Sequence, residues 1–573
     1  MIKARIEPEN LQANLKSYAA TYASFSWADV EKEFARPPDG GINIVHEAID
    51  RWCTDPEKGK APALIFEKRG EIQAFSFREL KKISCQWANL FLQHGFKKGD
   101  RLFLFLPPCP EIYFAMLACA RLGILFCPLY QTLSFHELEE RISNAEPKGI
   151  LTHPDLSESF PYESMEGVEY LFMIKTPLSG LSTKEMDVER LVGKMDEECK
   201  TEWLPADTPL YLLYTSGSTG PPKGIVHSHR DMRGHLMTAK YVLDLNQDTI
   251  VWTDGNPAWV TGAVYSTFAP WLRGSTSVVQ GDPFSASTWY RTLERHKVAV
   301  WYTTPRTIRR LMEAGEDLPS RYDFSHLRHV STVGETLPPD LFYWAKKNLK
   351  LSLHDTWWMT ETGMICLANF PSMVIKPGSM GKPVPGVEAA VVDENGEALP
   401  LLTMGELALK PGWPAMMTDI WRDRDRYQDY FRLEGWFLTG DMVIQDEEGY
   451  FYHQGRMDDL MKAGDVLIGP YEIEQVLCNH PAVIEAAVIS RNKGSDSPDL
   501  KAFVVIGRGF NPSNRLNHEL KAFVKAHLPH AAAVGDIEFM DVLPKTLSGK
   551  LLRRVLRARE LGLPTGDPLS MLD

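Results

Sequence analysis

The chain lacks the features that define several large protein classes. None of its eight cysteines (Cys53, Cys85, Cys109, Cys119, Cys127, Cys199, Cys366 and Cys478) falls in a Cys-x-x-Cys pair. Neither a zinc site nor a redox pair is therefore indicated, and free thiols in a reducing cytoplasm are expected. Positive charge is in deficit: 62 Lys and Arg face 75 Asp and Glu, a formal net charge of −13. That excludes nucleic-acid binding through a basic surface. Long apolar runs are missing too. The most apolar stretch, 112–130, is interrupted by Arg121, Gly123 and Pro128, and reads as helix, turn and buried strand rather than a membrane span. The first residues, Met1-Ile2-Lys3-Ala4-Arg5-Ile6-Glu7-Pro8, contain no apolar core of a secretory leader, so none is expected. No repeat of solenoid period is found.

What remains is an ordinary globular composition, 44% hydrophobic and 24% charged, over 573 residues. That length exceeds what one core normally covers, so at least two domains are expected. Residues 1–60 are polar and dotted with aromatics (Tyr18, Tyr22, Phe25, Trp27, Phe34) and read as an extension packed on the main domain. Apolar runs at 101–106, 124–129 and 149–152 alternate with helical patterns at 112–122 and from a Ser134-to-Glu137 capping box to 142. The same alternation returns as strands at 298–302, 329–333 and 351–354 with helices at 306–312 and 338–348. This predicts an α/β fold with two parallel-type sheets. Glycine-separated β runs over 380–457 predict a β subdomain. Residues 458–573 predict a small α+β C-terminal domain of ordinary domain size.

One stretch organises the rest. The apolar run 210–214 leads into Thr215-Ser216-Gly217-Ser218-Thr219-Gly220-Pro221-Pro222-Lys223-Gly224. Glycines let backbone N–H groups approach an anion, small hydroxyls add donors, and a lysine supplies a point charge. The stretch reads as a phosphate cradle, with a Ser/Gly linker as the alternative. It is not a Walker A loop, which needs Gly-Lys-Ser/Thr at its end; here Pro222 precedes Lys223 and Gly224 follows it.

Further motifs follow predicted strands, where open α/β sheets bind ligands. In Asp355-Thr356-Trp357-Trp358-Met359-Thr360-Glu361-Thr362-Gly363 an indole can stack on a purine, Thr360 can donate to phosphate, and Glu361 is a hard oxygen ligand suited to Mg²⁺. Asp441, in Thr439-Gly440-Asp441, could accept from both hydroxyls of a ribose. Lys550, on a Ser-Gly turn in Leu543-Pro544-Lys545-Thr546-Leu547-Ser548-Gly549-Lys550, can neutralise charge that develops on a phosphate.

Together, in this order, the motifs resemble those of the adenylate-forming superfamily, and the chain is similar over nearly its whole length to the AMP-forming acyl-CoA synthetases. The resemblance implies that Ser331-Thr332-Val333-Gly334-Glu335-Thr336 is the adenine-edge loop, with Gly334, Glu335 and Thr336 at the nucleotide beside Asp355, Thr356 and Trp357. It implies that Arg456 touches ribose or phosphate and that Asp458 is the hinge of a rotating C-terminal domain, the boundary falling at 457/458. ATP, Mg²⁺ and CoA are the implied cofactors and substrates. The implied reaction joins a carboxylate to AMP with release of pyrophosphate, after which the CoA thiol displaces AMP.

The acid is read from Trp259-Val260-Thr261-Gly262, which resembles the acyl-pocket segment of acetyl-CoA synthetases. Val260, Thr261, Val333 and Trp358 are the implied pocket residues, and the Trp358 indole would exclude long chains. Acetate is expected first and propionate second; branched short acids, carrier-protein loading and a catalytically dead nucleotide-binding regulator are the alternatives. The chain departs from that group in two places. Met359 stands where it usually has Gln, and its phosphate-contacting Gly-His-Arg aligns with Gly464-Asp465-Val466, a loss under which the reaction could be run towards ATP. Gly464 and Lys525 are the implied CoA contacts. The lysines of relatives can be acetylated, so an acetyltransferase and a deacetylase acting on Lys550 are implied partners. No nucleic-acid or membrane partner is expected.

Overall fold

A computed structural model of the chain describes residues 5–8, 12–35, 41–157, 167–175, 185–215, 222–457, 461–463, 466–468, 470–491, 500–507, 509–528, 534–545 and 551–562. It divides into two compact units, residues 1–388 with 411–429, and residues 389–410 with 430–573.

The first unit holds two sheets, of nine and eight strands among the described residues. At the centre of the larger, Leu353–Trp357, His329–Thr332, Val300–Thr303, Ile250–Thr253, Thr276–Gln280 and Pro62–Lys68 lie side by side, every neighbouring pair parallel. At the centre of the smaller, Pro209–Thr215, Leu125–Leu129, Arg101–Phe105, Gly149–Thr152 and Tyr170–Met173 are parallel, and Lys223–Ser228 returns antiparallel beside Pro209–Thr215. Strands covered on both faces read as continuous apolar runs, and all five residues of Leu125–Leu129 are buried. The crossover helices begin where the sequence signals them: Ser134 and Glu137 form a reciprocal capping box on Phe135–Ala145, and Pro305 opens Pro305–Glu313. Arg121, the charge inside the most apolar stretch, is buried and grips Asp50 with two hydrogen bonds of 2.7 and 2.9 Å. The N-terminal aromatics tie down by their polar ends: the Tyr18 and Tyr22 hydroxyls donate to the carbonyls of Pro383 and Val387 at 2.9 and 2.8 Å.

The second unit starts with an antiparallel sheet ordered Ala389–Val392, Met404–Leu409, Phe437–Gln445, Phe451–Arg456. It continues with a three-stranded sheet, Val483–Ser490, Leu500–Ile506 and Val534–Phe539. Ile473 and Leu477 of helix Pro470–Cys478, and Leu516, Leu520 and Val524 of helix Asn514–His527, pack on that sheet. The expected α/β class with parallel-type sheets, a β subdomain and an α+β C-terminal part is what the chain adopts. Among the described residues no helix is long and apolar enough to cross a membrane, and all eight cysteines are free.

Two strands run longer than their sequence suggests. Leu353–Trp357 extends three residues past the expected end at His354, because it pairs with His329–Thr332 on one side and Leu367–Ala368 on the other. Asp355, Thr356 and Trp357 are thus strand residues. Likewise Asp441 lies within Phe437–Gln445 rather than after a strand, since pairing with Met404–Leu409 and Phe451–Arg456 continues past Gly440.

Candidate active site

The parallel strands of the larger sheet send their following segments off the same edge. After Thr253 come Asp254 to Thr261, after Thr332 come Val333 to Thr336, and after Trp357 come Trp358 to Glu361. Three of the expected motifs therefore emerge together.

The phosphate stretch belongs to the other sheet. Ser216, Gly217, Ser218, Thr219 and Gly220 lie outside the described residues, but their flanks are fixed: Thr215 and Lys223 face each other across an antiparallel pair. Lys223 directs its ammonium at Glu361, Nζ to Oε1 2.6 Å, with both side chains mostly buried. Across more than a hundred residues of sequence, the cradle's lysine and the expected metal carboxylate thus meet.

Glu361 sits on a 3₁₀ turn, Thr360–Thr362, whose carbonyls are each claimed by a separate donor. Thr360 O takes His227 Nε2 at 2.7 Å, Glu361 O takes the Met417 N–H at 3.0 Å, and Thr362 O takes Trp413 Nε1 at 2.8 Å. Gly363 O takes His235 Nε2 at 3.0 Å. Burial pushes the His235 imidazole down to about 4, so at neutral pH it is uncharged and donates from Nε2 alone. His227 is wholly buried, stacks on the Tyr211 ring at 4.8 Å, and sets its Nδ1 2.6 Å from Asp231 Oδ2. A carbonyl only accepts, so Nε2 carries the hydrogen of that bond. The turn that presents Thr360 and Glu361 is therefore fixed before any ligand arrives.

Asp355 is buried, accepts from the Thr332 hydroxyl at 2.7 Å, and its carboxyl is pushed up to about 8 by burial. Its neighbour Thr356 donates its hydroxyl hydrogen to the Thr332 carbonyl, 2.7 Å away. Gly334 has φ +100°, and a Cβ there would approach the Trp259 ring to 3.2 Å. Glycine is what lets the loop carrying Glu335 and Thr336 lie against that indole.

The four expected pocket residues are all buried. Trp358 donates its indole N–H to the Tyr302 hydroxyl at 3.0 Å and meets the Tyr265 ring edge-on at 5.1 Å. Val333 is held through its N–H to the Thr303 carbonyl at 3.0 Å. Val260 and Thr261 begin the short helix Val260–Ala263, and the buried Thr261 hydroxyl finds no partner among the described residues. Such a hydroxyl suits a ligand oxygen.

In the second unit Asp441 and Arg456 are register partners on neighbouring strands, joined Nη1 to Oδ1 at 2.7 Å. Glu406 accepts from the Gly440 N–H at 2.9 Å and from Arg432 at 2.7 Å, which braces the bend before Asp441. Lys525 stands exposed in the last turn of Asn514–His527. Asp458, Gly464 and Lys550 lie outside the described residues.

His227, His235, Tyr265 and Tyr302 escaped the reading of the sequence. Their partners lie 133, 128, 100 and 56 residues away. The only local signal was His227 and Asp231, both polar and four residues apart, beside an otherwise apolar strand.

Glu361 is a buried carboxylate, here paired with Lys223; its hard oxygens are of the kind that suit Mg²⁺, an ion that keeps waters and draws its other ligands from substrate phosphates. Among the described residues no group of three His, Cys, Asp or Glu forms an all-protein cage.

Residues 51–418 match the model of the AMP-binding enzyme family, and residues 472–550 match that of the AMP-binding enzyme C-terminal domain. The chain is 43% identical to the acetyl-coenzyme A synthetase of Bacillus subtilis over 98% of both chains. It is 34% identical to that of Methanothrix soehngenii over 93% of this chain and 84% of the relative. Among solved structures, an anthranilate CoA ligase in complex with anthranoyl-AMP superposes with a TM-score of 0.83 at 25% identity, covering 94% of this chain and 99% of that one. A benzoate CoA ligase from Burkholderia xenovorans gives 0.79 at 26% identity, covering 90% and 100%. The chain belongs to the AMP-binding enzyme family, within the adenylate-forming superfamily that contains the acyl-CoA synthetases.

Proposed function

We propose that the protein is an AMP-forming acetate:CoA ligase. A carboxylate oxygen attacks the α-phosphorus of ATP and pyrophosphate leaves. The CoA sulfur then attacks the acyl carbon, AMP leaves with the electron pair of the broken C–O bond, and the thiol proton goes to solvent.

Lys223 and the 216–220 stretch would hold the phosphates, with Thr360 donating to them. When bound at Glu361, Mg²⁺ would neutralise phosphate charge. Gly334, Glu335, Thr336, Asp355 and Trp357 would receive the adenine. Asp441, with Arg456 beside it, would accept from the ribose hydroxyls. Lys550 would neutralise charge as the acid and the α-phosphate join, and Asp458 would be the hinge between the two half-reactions. Gly464 and Lys525 are assigned to CoA. An acetyltransferase and a deacetylase acting on Lys550 belong to the same reading, since acetylation removes the charge. Eight free thiols support a reducing compartment, and we place the enzyme in the cytoplasm.

The observation that carries the choice of acid is the closeness of Trp358 to Thr360. Two residues of backbone reach about 7 Å at most. An acid lying between a phosphate at Thr360 and a locked indole at Trp358 has room for very few carbons, and overlap with an indole is penalised far more than a lost contact. One methylene is worth about 1–3 kcal/mol in such a pocket, so propionate should be a poorer second substrate. The name shared by the relatives from Bacillus subtilis and Methanothrix soehngenii supports the same acid. The test is formation of acetyl-CoA and AMP in equal amounts from acetate, Mg-ATP and CoA. Formation of ADP, or no acetate-dependent AMP, would overturn the proposal.

A further inference from the structure

Three neighbouring strands contribute to one chain of hydrogen bonds that ends on Trp358. The indole N–H donates to the Tyr302 hydroxyl at 3.0 Å. The Tyr302 and Thr356 hydroxyls lie 2.8 Å apart, and Thr356 donates to the Thr332 carbonyl at 2.7 Å. The direction of every link is fixed by chemistry. An indole N–H only donates and a carbonyl only accepts. Thr356 has its hydrogen committed to Thr332, so Tyr302 must give its own to Thr356 and receive the indole's. Each hydroxyl thus spends its one hydrogen, in one direction. Burial raises the Tyr302 phenol well above its ordinary range, so that hydrogen stays in place.

Aromatic packing adds a second constraint. Tyr265 meets the rings of Trp358 and Tyr302 edge-on, at 5.1 and 5.4 Å. Its own hydroxyl is tied to Thr238 at 2.8 Å and to the Ile365 N–H at 3.1 Å. Tyr302 and Tyr265 are fully buried. Nothing in this arrangement requires an acid to be bound, so the indole is locked in the resting protein.

We propose that Tyr302 is the positioning residue that sets the chain length of the acid, by holding the Trp358 indole across the acyl site. The inference rests on the reading that Trp358 bounds that site. A tryptophan free to turn would bound it only loosely, because a longer acid could push the ring aside at the cost of one rotamer change. With its N–H buried and committed, turning the ring strands a donor.

The test is the ratio of butyrate to acetate kcat/KM in acid-dependent ATP–pyrophosphate exchange. The ratio is used because it divides out any general loss of activity from a disturbed fold. Tyr302→Phe removes one oxygen and keeps the ring. The expected result is a rise of about tenfold in the ratio, equivalent to ~1.4 kcal/mol. Trp358→Gly serves as the reference and should raise the ratio further. If Trp358→Gly raises the ratio and Tyr302→Phe leaves it unchanged, the inference about Tyr302 is overturned while the acyl-site reading stands. If neither variant changes it, the acyl-site reading fails and takes the inference with it. Should Tyr302→Phe not fold, Thr356→Val cuts the same chain one link on and carries the test, with an expected rise of about threefold, ~0.65 kcal/mol; an unchanged ratio there counts against the inference equally.

Discussion

Replacing His227 with leucine removes both of its ring hydrogen bonds and leaves a side chain of similar bulk behind. Asp231, wholly buried, would lose its 2.6 Å partner and, among the described residues, keep the Ser228 hydroxyl at 3.3 Å. Leaving a buried hydrogen-bonding group without its partner costs about 1–3 kcal/mol. The Thr360 carbonyl would lose its 2.7 Å donor, at about 1–3 kcal/mol if it stays buried. These losses are a large share of the ~5–15 kcal/mol by which proteins are normally stable, so a clear drop in Tm is expected. The functional effect is separable from it. Thr360 and Glu361 would lose one of their fixed points, and a displacement of about 1 Å in a positioning group can cost about 100-fold in rate. ATP–pyrophosphate exchange at saturating acetate, with Mg-ATP varied, should show kcat reduced by about 10- to 100-fold. His227→Gln, whose amide can still donate to the Thr360 carbonyl, should recover most of the rate while remaining less stable than wild type. A folded His227→Leu protein exchanging within about twofold of wild type would refute the idea that this histidine positions the turn.

Two further outcomes are expected, one from the structure and one from the role proposed for Lys550. Burial raises the Asp355 carboxyl from about 3.8 to about 8, so between those values the folded state holds one proton more than the unfolded chain. Its contribution to stability is complete below about 3.8 and declines by roughly 1.4 kcal/mol per pH unit until the pH passes about 8; Tm profiles of wild type and Asp355→Asn should therefore converge or cross as the pH rises from 5 to 9, and parallel profiles would contradict the raised value. Lys550→Ala should abolish acid-dependent exchange yet leave thiolysis of supplied acetyl-adenylate by CoA within about threefold, and equal loss of both half-reactions would remove the assignment of this lysine to adenylation.

Much of the framework could be read from residues alone, for a physical reason. Strands buried on both faces must be apolar throughout, and Gly149–Thr152 and Leu125–Leu129 announce themselves in that way. Helices with a Ser-to-Glu capping box announce their first residue. The reading stopped short of the end of Leu353–Trp357 because Asp355 and Thr356 are polar, and local sequence does not reveal that these polar residues, like His354 before them, find partners inside. His354 bonds the Asn369 carbonyl, Asp355 the Thr332 hydroxyl, and Thr356 the Thr332 carbonyl. The site divides along the same line. Lys223 and Glu361 were visible because their chemistry sits in short motifs. The residues that hold those motifs in place were not, because Tyr302, Tyr265, His227 and His235 act on segments that are distant in the chain and adjacent only in the fold.

The central claim is that the chain activates a very short carboxylic acid as its adenylate, and one measurement addresses it directly. Acid-dependent ATP–pyrophosphate exchange, with CoA omitted, should be run over acetate, propionate, butyrate, isobutyrate and benzoate. The account predicts exchange strongest with acetate, weaker with propionate, and falling away with the longer, branched and aromatic acids. A maximum at butyrate, isobutyrate or benzoate would contradict the role given to Trp358, and exchange with none of the five would contradict the proposed activity itself.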